Sequence, residues 1–336
     1  MTTRLSISSF KKYILFLALL ALSLALFKFL ETALLKRYDT RDSSQKITGY
    51  QFEDMYALEP DTIDMVIIGS SHATCSYDPG KIRETLGLNA FNLGTPLQQP
   101  DTGYYLYREM IQTQKPKYLM IDVYFKVLGS DYARNQVTAV LKEMRFGVNS
   151  LGMFLFNMDR PGKGSFLAGY VSPFGRVYDI LMKAPDPAFA RIFDRNPNYR
   201  GSGFYVTESV ISKDNYFEEN YPFSKDTYKS FSKRQVKYLE KLIREAKNHG
   251  TEVILVSAPM PKYITENLGY YETIHNNIRE ISDRNGVFYF DFNLDYYEGK
   301  IGLAAADFSD SGHLNKTGSE KFNDYYLKIF KEMGIV

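Results

Sequence analysis

The stretch Asp64-Met-Val-Ile-Ile-Gly-Ser-Ser-His72 decides the fold of this chain. Its apolar run ends at Gly69, which is the pattern of a short buried strand that runs into a turn. Ser71 then lies between that strand and a helix, where a hydroxyl is exposed and backbone N–H groups of the helix start can hold it. The same N–H groups can stabilise an oxyanion. A Gly-Ser-Ser turn is also common as an ordinary loop, so this stretch alone does not establish a reactive site.

Further apolar runs continue the pattern and alternate with helical segments. The strands are predicted at 64–69, 89–93, 117–123, 252–257 and 287–291, and the helices at 79–86, 101–114, 224–248, 270–284 and 315–333. Strands that alternate with helices are typical of a parallel sheet with helical crossovers. We therefore predict an α/β fold, a three-layer flavodoxin-like parallel sheet.

Residues 126–223 interrupt this alternation. They contain PGKG, SPFG, APDP and NPNYRGSG together with many aromatic residues. We predict an irregular insertion here, which packs as a lid over the Ser71 end of the sheet and shapes an acceptor site.

Composition and charge exclude several classes of protein. The chain has 336 residues, with 44% hydrophobic and 24% charged residues, which excludes a disordered or multi-span membrane protein. One cysteine and four histidines leave no disulfide framework and little room for a metal cluster, so neither a metal nor a cofactor is predicted. The net charge is +2, but residues 1–37 hold six basic residues and one acid. Because the basic excess lies outside the folded part, nucleic-acid binding is not predicted.

The N-terminal segment has the pattern of a single membrane anchor. Residues 13–27 carry no charge, and the apolar run continues to Leu35. Arg4, Lys11 and Lys12 precede it, so the positive-inside rule predicts a cytoplasmic N-terminus and an extracellular folded part. A cleaved signal peptide and a buried core helix are the alternatives. The predicted organisation is 1–37 tail and transmembrane anchor, 38–60 stalk, and 61–336 folded domain.

A second motif, Asp307-Phe-Ser-Asp-Ser-Gly-His-Leu-Asn315, precedes the last predicted helix. Asp310 and His313 are three residues apart in it. A carboxylate fixes the tautomer of a nearby histidine, which can then take the proton of a serine hydroxyl. The alternative is that His313 is a capping or surface residue.

Together the two motifs resemble those of the SGNH/GDSL hydrolase superfamily. The matches are Gly69-Ser-Ser71 and Asp310-Ser-Gly-His313-Leu-Asn315, with Gly318 following. The resemblance implies that Ser71 is the catalytic nucleophile and that His313 and Asp310 complete a catalytic triad. His72 is then interpreted as a helix-start residue that orients the turn.

The middle motifs of that family are altered in this chain. The sequence Asn92-Leu-Gly-Thr-Pro-Leu97 has Pro96 and Leu97 where the family has an oxyanion-binding glycine, and proline has no N–H. The family's oxyanion asparagine is missing after the third strand, where this chain has Asp122 and Tyr124. By resemblance, Asn92, Gly94 and Tyr124 are the oxyanion or substrate-binding candidates.

The anchor and the altered motifs resemble the membrane-anchored SGNH-like acyltransferases of bacterial envelopes, such as alginate O-acetylation and D-alanyl-transfer proteins. The resemblance implies a serine O-acyltransferase or esterase outside the cytoplasm. Its acceptor would be a cell-envelope polysaccharide, another envelope glycan or a teichoic-acid-like polymer, and a multi-span membrane acyltransferase would supply the acyl group. The alternative is a non-catalytic glycan-binding or assembly protein that keeps a decayed SGNH fold.

Overall fold

The computed structural model describes residues 7–35, 43–129, 134–145, 147–157, 195–211, 230–262 and 271–334. The chain divides into two compact units, one of 1–42 with 162–194 and the other of 43–161 with 195–336. The described part of the first unit is helix α1, Ile7–Leu35. The second unit contains the sheet and the candidate site.

Helix α1 covers the apolar run predicted as a membrane anchor. Its described side chains include Leu17 and Leu22, both mostly exposed. Counting only the described residues, no helix is both long and apolar enough to cross a membrane. The predicted span 13–35 includes side chains that lie outside the described set, at 21, 24, 27, 28 and 30–35. The anchor therefore stays a prediction.

The described residues of the second unit contain seven strands and eleven α-helices. The strands are β1 (Met65–Ile68), β2 (Ala90–Asn92), β3 (Tyr118–Asp122), β4 (Tyr199–Gly201), β5 (Phe204–Tyr205), β6 (Glu252–Ser257) and β7 (Phe288–Asp291). The helices are α2 (Ser43–Tyr56), α3 (Ser71–Ser76), α4 (Pro79–Leu86), α5 (Pro100–Met110), α6 (Phe125–Leu128), α7 (Arg134–Glu143), α8 (Val148–Asn157), α9 (Lys233–Asn248), α10 (Tyr271–Asn285), α11 (Phe292–Tyr297) and α12 (Lys316–Met333), with a 3₁₀ turn at Ala305–Asp307.

The five predicted strands form one parallel sheet in the order β2-β1-β3-β6-β7. All four residues of β1 are apolar and buried. This is the pattern of a strand that helices cover on both faces. The strand order is the flavodoxin-like one, so this part of the prediction is confirmed. The chain winds from β1 outward to β2 on one side and from β3 outward to β7 on the other, so the connections diverge between β1 and β3. This divergence opens a crevice at the carboxyl ends of these two strands, where Ser71 lies.

Helices cover the sheet on both faces. On one face, α4 and α12 pack together over a core that includes Met65, Ile67, Phe322 and Tyr326. On the other face α5 packs against α9, and α10 lies beside α9. These are the three layers that the alternating strands and helices predicted.

The predicted stalk is not a stalk in its described part. Residues 43–56 form α2, which buries Tyr50, Phe52 and Met55 within the second unit. The Gln51 side-chain amide donates to the carbonyl oxygens of Asn92 and Gly94, at 2.7 Å each. The segment is polar because it supplies such hydrogen bonds, and it is buried on more than one face, since Tyr50 and Phe52 lie about 200° apart around the helix axis.

The insertion is more regular than predicted. Of residues 126–223, the segments 130–133, 146, 158–194 and 212–223 lie outside the described residues. The described remainder forms helices α7 and α8, most of α6, and the antiparallel pair β4–β5. The hairpin covers the free edge of β2, since the Asn92 N–H donates to the Ser202 carbonyl at 2.9 Å. Beyond it, the N–H of Ile211 donates to the Phe308 carbonyl at 2.9 Å, close to the second motif.

Candidate active site

The turn after β1 presents Ser71 at the first position of α3. Ser70 is the N-cap, and its hydroxyl accepts the N–H of His72 at 3.3 Å. Gly69 is required because a Cβ there would lie 2.7 Å from Cβ of Asp122 and 2.8 Å from Cβ of Ala73. The turn is thus closely packed beneath Ser71, which is half-buried.

The second motif is a loop tied down at both ends. Leu314 is buried in the core and bridges to Phe308. Asn315 caps α12 by accepting the Gly318 N–H at 3.1 Å, and its amide donates to the Ala306 carbonyl at 2.7 Å. A side chain at Gly318 would collide with the carbonyl oxygen of Asp307. The residues that follow His313 therefore hold its loop in place.

The two motifs meet at the carboxyl end of the sheet. Nε2 of His313 lies 2.7 Å from Oγ of Ser71, and Nδ1 of His313 lies 2.8 Å and 2.9 Å from the two carboxylate oxygens of Asp310. The structure therefore brings together the three residues that the sequence assigned to a triad, across 242 positions of the chain.

Asp310 is held as a carboxylate. Burial alone would raise its pKa, but the hydrogen bond and charge of His313, with the backbone N–H groups of Gly312 and His313, outweigh burial and lower the pKa. An ionised carboxylate only accepts hydrogen bonds, so Nδ1 of His313 carries the ring proton. In the neutral ring Nε2 is then the acceptor, and the Ser71 hydroxyl donates to it.

His72 and Tyr124 form a wall beside the triad. Their rings stack with centroids 3.9 Å apart, and the His72 ring centroid is 5.2 Å from that of His313. His72 is buried, and burial lowers its pKa well below the usual value, with the charge of His313 adding to the effect. His72 therefore remains a neutral ring next to His313. Tyr124, a predicted substrate-binding residue, reaches the triad through this stack.

The structure does not place Asn92 and Gly94 as oxyanion donors. The side-chain amide of Asn92 donates to the carbonyl oxygens of Ala73 and Tyr77, at 2.8 Å and 3.0 Å, and its oxygen accepts the Gly94 N–H at 2.9 Å. These donor groups are used inside the protein, where they tie α3 to the end of β2. The predicted binding role is corrected here to a structural one.

Asp122 is the buried polar residue whose environment sequence reasoning missed. Its Oδ2 accepts the Tyr77 hydroxyl and the Ala258 N–H, both at 3.1 Å, while Oδ1 has no hydrogen-bond partner among the described residues. Burial raises its pKa to about 7, although the bonds from Ala258 and Tyr77 act in the other direction. The only sequence signal was its place at a strand end. Within the described ranges, no group of three or more His, Cys, Asp or Glu residues could hold a metal ion.

Comparison with known proteins gives weak structural likenesses. No known protein family and no curated protein matches the chain. Among solved structures it is similar to a GDSL-like lipase from Bacteroides thetaiotaomicron, with 10% identity, a TM-score of 0.38, and coverage of 87% of this chain and 100% of that one. It is also similar to a variant of an acetyl xylan esterase from Geobacillus stearothermophilus, with 13% identity, a TM-score of 0.36, and coverage of 80% and 95%.

Proposed function

We propose that the protein is a serine esterase or O-acyltransferase of the SGNH/GDSL type, which works through an acyl-enzyme on Ser71. The observation that carries the proposal is the unbroken chain of contacts from Ser71 Oγ through His313 to Asp310. A serine, a histidine base and an orienting carboxylate in this order are the arrangement that activates a hydroxyl for attack on an acyl carbon.

In the proposed reaction, Oγ of Ser71 attacks the ester carbonyl while Nε2 of His313 takes the hydroxyl proton. Collapse of the tetrahedral intermediate breaks the bond to the alcohol oxygen, which receives that proton from His313. Water or an acceptor hydroxyl then attacks the acyl-enzyme while His313 takes its proton. Breaking of the bond to Ser71 Oγ releases the acid or the new ester, and His313 returns the proton to Oγ. Hydrolysis and transfer differ only in this second nucleophile.

The developing negative charge needs donors other than Asn92 and Gly94. The backbone N–H of Ser71 begins α3, and among the described residues it has no acceptor. Helix-start N–H groups of this kind are suited to an oxyanion. We assign Ser71 N–H as one oxyanion donor.

We further propose that this chemistry takes place outside the cell membrane on a cell-envelope polysaccharide, with the span 13–35 as anchor and a multi-span membrane acyltransferase as the acyl source. The apolar run and its basic N-terminal flank support the location. An acceptor of this kind suits the many tyrosines, since an aromatic ring with a polar tip packs well against a sugar.

The test is covalent labelling of the purified full-length protein with a fluorophosphonate, read by intact mass. We expect one adduct on the wild type and none on Ser71→Ala. Ser209→Ala is the matched control, because it removes an exposed hydroxyl that pairs with Thr207 and leaves the Ser71 turn unchanged. Equal labelling of wild type and Ser71→Ala would exclude Ser71 as the nucleophile.

The second candidate is a non-catalytic envelope glycan-binding or assembly protein on the same fold. The internal use of the Asn92 and Gly94 donors favours it, because a working oxyanion site needs free donors. A folded wild-type protein that gives no adduct and turns over no ester would support this second candidate.

A further inference from the structure

Leu97 adopts a backbone conformation that leucine rarely takes. Its φ is 54°, and the only other described non-glycine residues with positive φ are Asp61 and Ser202. Short polar side chains tolerate this region because they can hydrogen-bond locally, whereas a leucine gains no such compensation. The conformation therefore destabilises the folded state, and no local hydrogen bond from the leucine side chain compensates for it.

The strain belongs to a defined turn. The Gln98 N–H donates to the Thr95 carbonyl at 3.0 Å, which places Pro96 and Leu97 at the two central positions. Proline followed by a residue with positive φ is the pattern of a type II turn, and such turns favour glycine at the third position. Glycine at position 97 would suit the backbone better than leucine does.

Packing does not explain the leucine. Thr95, Gln98 and Gln99 are all buried, yet the side chain of Leu97 is 52% exposed. It projects from a loop in which Pro96 is half-buried and the neighbouring residues are buried, and it contributes little to the core. A strained backbone that displays an apolar side chain to solvent points to a use of that side chain.

The turn at 95–98 contacts the loop that holds Ser71, the proposed nucleophile. The Thr95 N–H donates to the Gly69 carbonyl at 3.1 Å. A Cβ on Gly94 would lie 2.9 Å from the Thr74 hydroxyl of α3. Leu97 thus lies at the same carboxyl end of the sheet as Ser71, and two residues beyond a direct contact with its turn.

We propose that Leu97 is a substrate-binding residue, whose side chain contacts an apolar part of the ester attacked by Ser71. This inference rests on the proposed function. The ligand chemistry is a small apolar surface, which either the acyl chain or the carbon-bound face of a sugar alcohol can supply. Burying such a surface against a leucine changes affinity but not the chemical step, so the effect belongs mainly in KM.

The experiment measures kcat and KM of the full-length protein, of Leu97→Asn and of Leu97→Met. Asparagine tolerates positive φ but removes the apolar surface, and methionine keeps that surface. One arm varies the acyl chain from acetyl to hexanoyl on a fixed alcohol. The other arm keeps acetyl and varies the alcohol from ethanol to a pyranose. Leu155→Asn on α8 is the matched control, since it removes an equally exposed leucine elsewhere.

We expect Leu97→Asn to lower kcat/KM by about 10-fold, through a higher KM. The loss should occur in the arm that varies the part of the ester, acyl chain or alcohol, that contacts Leu97. Leu97→Met should lie within about threefold of wild type, and the melting temperature of Leu97→Asn should be equal to that of wild type or higher. Wild-type kinetics of Leu97→Asn in both arms would overturn the inference while leaving the esterase proposal intact. An equal loss on every substrate together with a lower melting temperature would also overturn it, because that marks a structural role. A wild type that turns over no ester in a Ser71-dependent way would remove the proposed function and this inference with it.

Discussion

Two carboxyl groups at the carboxyl end of the sheet lie in opposite environments. Asp310 stands on the loop before α12 with its side chain 55% exposed, and it receives N–H donors from the His313 ring and from two backbone groups. Asp122 ends β3 at 3% exposure, with one oxygen unpartnered among the described residues. The pKa of Asp310 is lowered, whereas burial raises that of Asp122 to about 7.

The difference shows that the place in the fold, and not the residue type, decides what a carboxyl group does here. The loop gives Asp310 three N–H donors and contact with water, so it keeps its charge, which in the proposed mechanism stabilises the imidazolium of His313. Its place at the strand end withdraws Asp122 from water, and the two donors that it receives, from Tyr77 and Ala258, only partly offset the rise in its pKa. Asp310 is thus suited to its proposed role beside His313, whereas Asp122 is a buried carboxyl with a raised pKa packed against Gly69.

The largest expected effect comes from replacing His313, the proposed base, which pairs with the exposed Asp310. His313→Gln should lower Ser71-dependent ester turnover by about 10³–10⁴-fold, because the serine loses its proton acceptor. Asp310→Asn should lower the turnover by a smaller factor, since it disturbs the tautomer of His313 but leaves the imidazole ring in place. Steady-state kinetics, with circular dichroism to show an unchanged fold, measure both. If His313→Gln keeps more than about a tenth of the turnover, the exposed loop is not the catalytic one.

The next largest effect concerns the buried carboxyl group of Asp122 and the free energy of unfolding. The folded pKa of Asp122 lies above its unfolded value of about 4, so the folded state binds more protons between about pH 4 and pH 7. Stability should therefore fall as pH rises through that window. Asp122→Asn mimics the neutral form, and its new N–H₂ group can face Gln98 Oε1, which lines the same cavity and has no partner among the described residues. The variant should be more stable than wild type at pH 8 by about 2–3 kcal/mol and similar at pH 4.

Urea unfolding at the two pH values measures this difference. Asp310→Asn in the same assay sharpens the comparison, because a lowered pKa gives stability that is present above the unfolded pKa and lost as pH falls. The same pH dependence in both variants would show that the two environments do not differ as described.

A third prediction tests the contact between Asp122 and the turn that holds Ser71. Gly69→Ala would push a methyl group into Asp122 and Ala73, and should lower the free energy of unfolding by about 2 kcal/mol. Ester turnover should fall as well, since Ser71 lies two residues further on. The matched control is Gly302→Ala, where an added Cβ meets no atom within 4 Å and stability should change by less than about 0.5 kcal/mol. Thermal unfolding of the pair measures the difference, and equal melting temperatures would show that the turn can give way.

The smallest effect should come from Tyr77→Phe. Its hydroxyl donates to Asp122 and so lowers the pKa of that carboxyl. Without it the pKa of Asp122 should rise above 7, and stability should fall by about 1 kcal/mol at pH 8. The pH at which stability levels off, measured by urea unfolding, should move upward. A downward movement would show that Tyr77 does not stabilise the charged form.

Much of the sheet could be predicted because its signals are local. Each strand is an apolar run of a few residues between turn signals, and the predicted β6 range 252–257 is the one observed. Ser71 and the pair Asp310 and His313 were found because each motif lies within a few residues, and because resemblance to one family joined them. The stalk was mistaken because α2 is buried by partners far away in sequence, such as the carbonyls of Asn92 and Gly94.

The sequence by itself therefore determined the strands, their parallel arrangement and the identity of the candidate triad. Only the tertiary structure decided that Asn92 and Gly94 use their donors internally, that Asp122 is a buried carboxyl with a raised pKa, and that Leu97 is displayed beside the turn that holds Ser71. The physical reason is that a strand or a helix is set by side-chain patterns of a few residues. Whether a polar group is free, paired or charged depends on neighbours that folding brings from tens to hundreds of positions away.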